Sequence, residues 1–210
     1  MSNYLAIAAV TATLKNFLQE AVGTKIPNAR VKTVRPDLLG NDQQETGINL
    51  FMYQALFNPS HSNNDLPTRR QDGSLTQRPQ VALDLCYLIT FFGDENLLEP
   101  QRLMGSAISS LHARPIFNRE IIRSAIEDPQ YQEAGLAKSD LAEQVSSIKF
   151  HPITLNLEEL SKLWSVFFQA PYLLSVAYRG TLVLIEDDTE PSSENLPVRD
   201  RKITLEPFVQ

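Results

Sequence analysis

A single cysteine, Cys86, stands in 210 residues, so no internal disulfide is possible and reducing surroundings fit the chain. The chain also has no block of lysine and arginine to follow a phosphate backbone, and 19 basic against 25 acidic residues leave it at −6. Nucleic acid is therefore not expected as a main partner. No apolar run reaches the roughly 20 residues that would span a bilayer, so no membrane insertion is expected. The eight glycines are scattered, with no G-x-S-x-G, no P-loop and no dinucleotide pattern. Three histidines, His61, His112 and His151, lie far apart without metal-ligand spacing. No cofactor and no metal are expected. The opening stretch carries no positive charge ahead of its apolar residues and continues as a helical pattern, so it reads as a non-secreted, soluble start.

What is present is enough to build a core: 42% of the residues are hydrophobic. Tyr4, Ile7, Ala8, Thr11, Leu14, Phe17, Leu18 and Ala21 recur at three and four residues, which predicts an amphipathic helix ending at Gly23. Strands are expected over 29–35, stopped at Pro36, and over 48–57. Residues 58–80 then turn polar, and Arg69, Arg70 and Arg78 sit among Pro, Asn, Ser and Gly. That length suits a functional hairpin tip rather than a simple connection. The three arginines are candidates for docking on an acidic protein surface, with plain solvation as the alternative.

The stretch 81–93, VALDLCYLITFFG, raises a sharper question. Its odd positions are wholly apolar, as on one face of a strand, while the other face is apolar except for Asp84 and Thr90. Burial would raise the pKa of an unpartnered aspartate, which suits a general acid, but the sequence nominates no second group beside it. Asp84 is therefore read as a structural residue that accepts hydrogen bonds from backbone or arginine. The alternative is an α/β hydrolase or small-molecule-binding domain whose pocket is lined by Asp84, Tyr87 and Tyr172.

Further helices are expected at 99–114, closed by Pro115, and at 118–128. A strand at 143–151 should end at Pro152. Asn156 and Glu159 form a capping box opening a helix with Leu157, Leu160, Leu163, Trp164 and Phe167 on its buried side. Trp164 and Tyr172 are read as core residues. A long strand over 172–186 follows, and then an acidic linker from Asp187. The last residues, with Val198, Arg199, Arg201, Ile203, Leu205 and Phe208, form an arm able to add a strand to a sheet edge. The expected organisation is an α/β body over 1–186 and a linker with C-terminal arm over 187–210. The fold class is α/β (α+β), with a single mixed or mostly antiparallel sheet flanked by helices.

Order and spacing of several short motifs resemble one family. They are Pro79, Ala82-Leu83-Asp84-Leu85, Tyr87-Leu88, Gly93, Leu103-Met104-Gly105, Leu111-His112 and Pro115, followed by Leu163-Trp164, Phe168, Pro171-Tyr172 and Ser175-Val176-Ala177-Tyr178-Arg179. These residues are similar to the cap, or tail-terminator, proteins of extracellular contractile injection systems, over nearly the whole of residues 4–186. Cys86 in place of a histidine, Phe92 in place of a tyrosine, and Gly180 inside the last strand depart from the pattern. The resemblance implies a phage tail-terminator-like fold and a ring of this chain, a homohexamer, that ends tube and sheath polymerisation opposite the baseplate. It implies inner tube and sheath proteins as partners, assembly in the cytoplasm and no catalysis, with Asp84, Trp164, Tyr172 and Tyr178 serving the structure. An accessory protein that binds partners without forming a ring is a third alternative.

Overall fold

A computed structural model describes residues 3–39, 45–61, 78, 80–144, 147–167 and 170–186. The three- and four-residue apolar spacing at the start becomes helix α1 (Ala6–Gly23), which buries Leu14, Phe17 and Leu18 along one side. No side chain caps its first turn, so tertiary packing rather than local signals sustains it. Strand β1 (Arg30–Lys32) is shorter than the stretch expected over 29–35. The chain leaves the sheet early because Pro36 opens a 3-10 turn, Pro36–Leu38. Asn49 replaces the missing strand pairing: the Val34 N–H donates to its Oδ1 at 3.1 Å, and its Nδ2 donates to the Val34 carbonyl at 2.9 Å.

The long hairpin strands β2 (Gly47–Phe57) and β3 (Gln80–Phe92) follow. After them come α2 (Glu99–Ala113), β4 (Ile116–Phe117), α3 (Arg119–Ile126), β5 (Ile148–Ile153), α4 (Leu157–Ser165) and β6 (Ser175–Glu186). The strands form one sheet in the order β1-β2-β3-β6-β5-β4. Among the described residues only β1 and β2 run parallel. The result is the mixed, mostly antiparallel sheet with flanking helices that the sequence led us to expect.

Period-two alternation along β3 sorts its side chains cleanly. Leu85, Tyr87, Ile89 and Phe91 enter the main core, together with buried residues of α1, α2 and α3. On the other face, Leu88 meets Trp164 and Phe167 in a second, smaller cluster beneath α4. Burial on both faces is why this strand reads as nearly continuous apolar sequence.

Two strands slip their alternation. In β2 the register shifts between Met52 and Gln54, leaving Tyr53 as the extra residue. In β6 the residues Thr181 and Leu182 together oppose Asp84, between the pairs Leu83↔Val183 and Leu85↔Gly180. Val176 and Tyr178 before this bulge, and Val183 and Ile185 after it, therefore all pack on the main core despite their change of parity.

Three further expectations are corrected. Pro152 does not end β5, which continues to Ile153. It lies past the two residues that β4 pairs, Ile148 and Lys149, where a missing N–H costs no ladder bond. The capping box at Asn156 and Glu159 is formed, yet Leu157 is 84% exposed rather than buried, because α4 meets the sheet through its C-terminal half. Tyr172 is 58% exposed. Its ring leans on Trp164 at 5.3 Å between centroids instead of entering the core.

Candidate functional site

Asp84 sits opposite the β6 bulge and is buried. Its Oδ1 accepts from Asn58 Nδ2 at 2.8 Å and from the Leu182 N–H at 3.3 Å. Leu182 has φ of 67°, a left-handed conformation that turns its N–H out of the ordinary ladder. The carboxylate supplies the acceptor that a bulged strand lacks. On the far side of the same residue, Gln144 Nε2 donates to the Leu182 carbonyl at 2.7 Å, and Gln144 Oε1 accepts from the Leu184 N–H at 3.1 Å. One side-chain amide thus pairs with β6 beyond the point where β5 stops pairing at Thr181. Neither Asn58 nor Gln144 stood out in the sequence, because nothing local distinguishes an amide aimed at a distant strand.

The same face of the sheet carries Tyr53, Cys86, His151 and Arg179 near this node. Cys86 is buried and free. Burial first, and then the neighbouring Cys86, push the Tyr53 hydroxyl up to about 12. Burial, helped by Arg179, lowers His151 below its ordinary value, against the opposing pull of Asp84. The Nε of Arg179 is buried without a hydrogen-bond partner among the described residues. Motif reading had included Arg179 only as part of a strand.

The structure does not bring Asp84, Tyr87 and Tyr172 together. Tyr87 is fully buried on the opposite face, where its hydroxyl shares a 2.9 Å hydrogen bond with Thr11 Oγ1. Burial raises its pKa. Tyr172 belongs with Trp164 on the other face of the sheet, where Trp164 packs with Leu88. Tyr178 is buried in the main core. Trp164 is buried and its Nε1 donates to Ser175 Oγ at 3.3 Å, tying α4 to the first residue of β6.

Of the residues picked for partner contacts, Arg78 is half-buried just ahead of β3. Arg69, Arg70, Val198, Arg199, Arg201, Ile203, Leu205 and Phe208 lie outside the described residues. No helix among the described residues is long and apolar enough to cross a membrane.

The family model described as the Pvc16 N-terminal domain matches residues 9–200. The chain belongs to the Pvc16 N-terminal domain family. Its fold is similar to that of the PVC sheath/tube terminator, part of an extracellular contractile injection system, in the extended state. That match has a TM-score of 0.60 at 14% identity over 97% of this chain and 64% of the other. The tube-terminating cap of the anti-feeding prophage matches with a TM-score of 0.51 at 16% identity, over 92% of this chain and 59% of the other. The chain spans less than two thirds of each of these proteins. No curated protein matches the sequence. Family and fold agree with the resemblance carried by the motifs between Pro79 and Arg179, and neither offers support for a hydrolase.

Proposed function

We propose that this Pvc16 N-terminal domain protein is the structural cap of a contractile injection system, a ring of six copies seated on tube and sheath opposite the baseplate. The observation that carries this reading is the match of nearly the whole chain to the fold of a sheath/tube terminator. The physical requirement is specific. A tube grows by a heterologous contact that leaves a fresh acceptor at each step, and a closed ring of matching symmetry occupies that acceptor without renewing it.

The cap does no chemistry in this reading. Asp84 is occupied by the Leu182 N–H and by Asn58, and Tyr87, its expected companion, lies across the sheet. The body over 1–186 supplies a rigid sheet with helices on both faces. The arginines at 69, 70 and 78, and the arm from Val198 to Phe208, make contacts to neighbouring subunits, tube or sheath. Assembly takes place in the cytoplasm, without nucleic acid or membrane insertion.

Deleting the gene tests the whole proposal. Particles of uncontrolled tube length, with sheath that detaches or contracts early, are the expected result in electron micrographs. Intact particles with the wild-type length distribution and normally closed ends would remove the terminator function. Truncation after Ile185 separates the arm from the body: a folded protein that no longer closes rings or holds sheath assigns the arm to assembly.

A further inference from the structure

At the end of the sheet where β3 finishes, a cavity of about 610 Å³ opens between the Pro36–Leu39 turn, the β3–α2 connection and the segment leading into β6. Its lining includes Phe92, Pro171 and Leu173, together with Asp94, Glu95 and Glu45, the last of which is ion-paired with Lys32. Just outside it in sequence, three leucines face solvent: Leu38 is 67% exposed, Leu97 60% and Leu98 57%. Apolar residues gathered around a cavity with acidic lining are the mark of a docking surface rather than of ordinary solvated loops.

Several hydrogen bonds hold the connection in this form. Leu98 has φ of 54°, a left-handed conformation that a branched residue adopts only when its surroundings impose it. Hydrogen bonds supply those surroundings: the Glu99 carboxylate accepts from Thr46 Oγ1 at 2.6 Å and from the Asp94 N–H at 2.9 Å. The Leu98 N–H donates to the Glu95 carbonyl at 3.1 Å, and the Glu99 N–H to the Asp94 carbonyl at 3.1 Å. Strain is thus kept where it presents two leucines outward, which lowers the ordering cost of binding.

The complementary chemistry lies in the sequence that joins β2 to β3. The connection from β2 to β3 carries Leu66-Pro67-Thr68-Arg69-Arg70, and it leaves and rejoins the sheet at the Phe57 and Gln80 end. The 13 residues of β3 put its two ends about 40 Å apart at about 3.3 Å per residue. A chain that carries a basic, Leu-Pro-containing segment between β2 and β3, and an acidic cavity beside the opposite end of those strands, is suited to head-to-tail contact between copies. A heterologous contact of that kind closes into a ring when its rotation fits.

We propose that the cavity beside Glu95 receives the Leu66–Arg70 segment of the next copy, with Leu66 and Pro67 against Phe92, Pro171 and Leu173 and the two arginines against Asp94 and Glu95. This rests on the ring reading given above and names the contact that closes the ring.

The test is a charge exchange in the full chain, read as the mass of the purified protein in solution at low and high salt. Glu95→Arg alone, and Arg69→Glu with Arg70→Glu in another chain, should each raise the concentration needed for ring formation at least tenfold while thermal unfolding stays as in wild type. Mixing the two variants in equal amounts should restore rings, because each altered cavity then meets an altered segment and each native cavity a native one. High salt should weaken the wild-type ring. A wild-type ring whose midpoint ignores both exchanges, or a mixture that fails to recover, overturns this contact and leaves the ring itself standing. A wild-type chain that stays monomeric at every concentration removes the ring, and the contact with it.

Discussion

The Asp84 carboxylate holds the Leu182 N–H at 3.3 Å, at the one place where β6 sets two residues against a single residue of β3. This pair explains how an acid resides in the most apolar strand of the molecule. It also predicts how the strand answers to substitution.

Asp84→Ala should cost about 1–3 kcal/mol of stability, since it leaves the Leu182 N–H and the Asn58 amide without their acceptor. Asp84→Asn keeps one acceptor oxygen and nearly the same volume, so its cost should be smaller and particle assembly should survive. Leu182→Gly should gain up to about 1 kcal/mol by relieving the positive φ. Urea unfolding of the three variants checks the order. An Asp84→Asn protein that folds normally but loses a measurable turnover would contradict the structural role.

Gly180 lies under an aromatic ring: a Cβ built there would stand 2.8 Å from Cε1 and 3.0 Å from Cζ of Phe150. Gly180→Ala is expected to destabilise by about 1–3 kcal/mol through overpacking. Pairing it with Phe150→Leu should recover part of that loss, and the coupling in a double-mutant cycle is the measurement.

Helix α4 reaches the sheet mainly through Trp164, beside Phe167 just past its end. Trp164→Ala should cost about 3 kcal/mol or somewhat more. The loss should be local first: amides of Leu157–Ser165 should exchange hydrogen faster while those of β3 keep their protection. Equal loss of protection in both elements would show that the small cluster and the main core unfold as one.

His151 gives a pH dependence with a definite sign. Burial, together with Arg179 and Lys149, holds it below 6.5 against the pull of Asp84. The folded protein therefore binds fewer protons than the unfolded chain as the pH falls below that value. Its contribution to stability is complete above 6.5 and is lost as the pH drops toward the folded-state value. His151→Gln should shrink the fall in melting temperature between about pH 7.5 and about pH 5.5. An unchanged fall would assign the acid sensitivity to other groups.

Local signals in the sequence were sufficient for several elements. The spacing from Ile7 to Ala21 marked α1, the alternation from Val81 to Phe91 marked β3, and Asn156 with Glu159 marked the start of α4. Each depends on residues within one or two turns or on a strict period, so the information is contained in a short stretch. The same holds for the motifs from Pro79 to Arg179 that pointed to the family, because order and spacing along a chain need no coordinates.

Only the tertiary structure decided how β6 is seated and what Asp84 and Gln144 do there. A bulge moves Val183 and Ile185 onto the face that Val176 and Tyr178 already occupy, and no periodicity in the sequence reports a slip that pairing with β3 imposes. Gln144 and Leu182 are 38 residues apart, and Asp84 and Leu182 are 98 apart. Likewise, the sequence called for a buried Leu157 and Tyr172 because hydrophobicity is a property of the residue. Exposure depends on where a helix meets its sheet, and α4 meets it only through the end that holds Trp164.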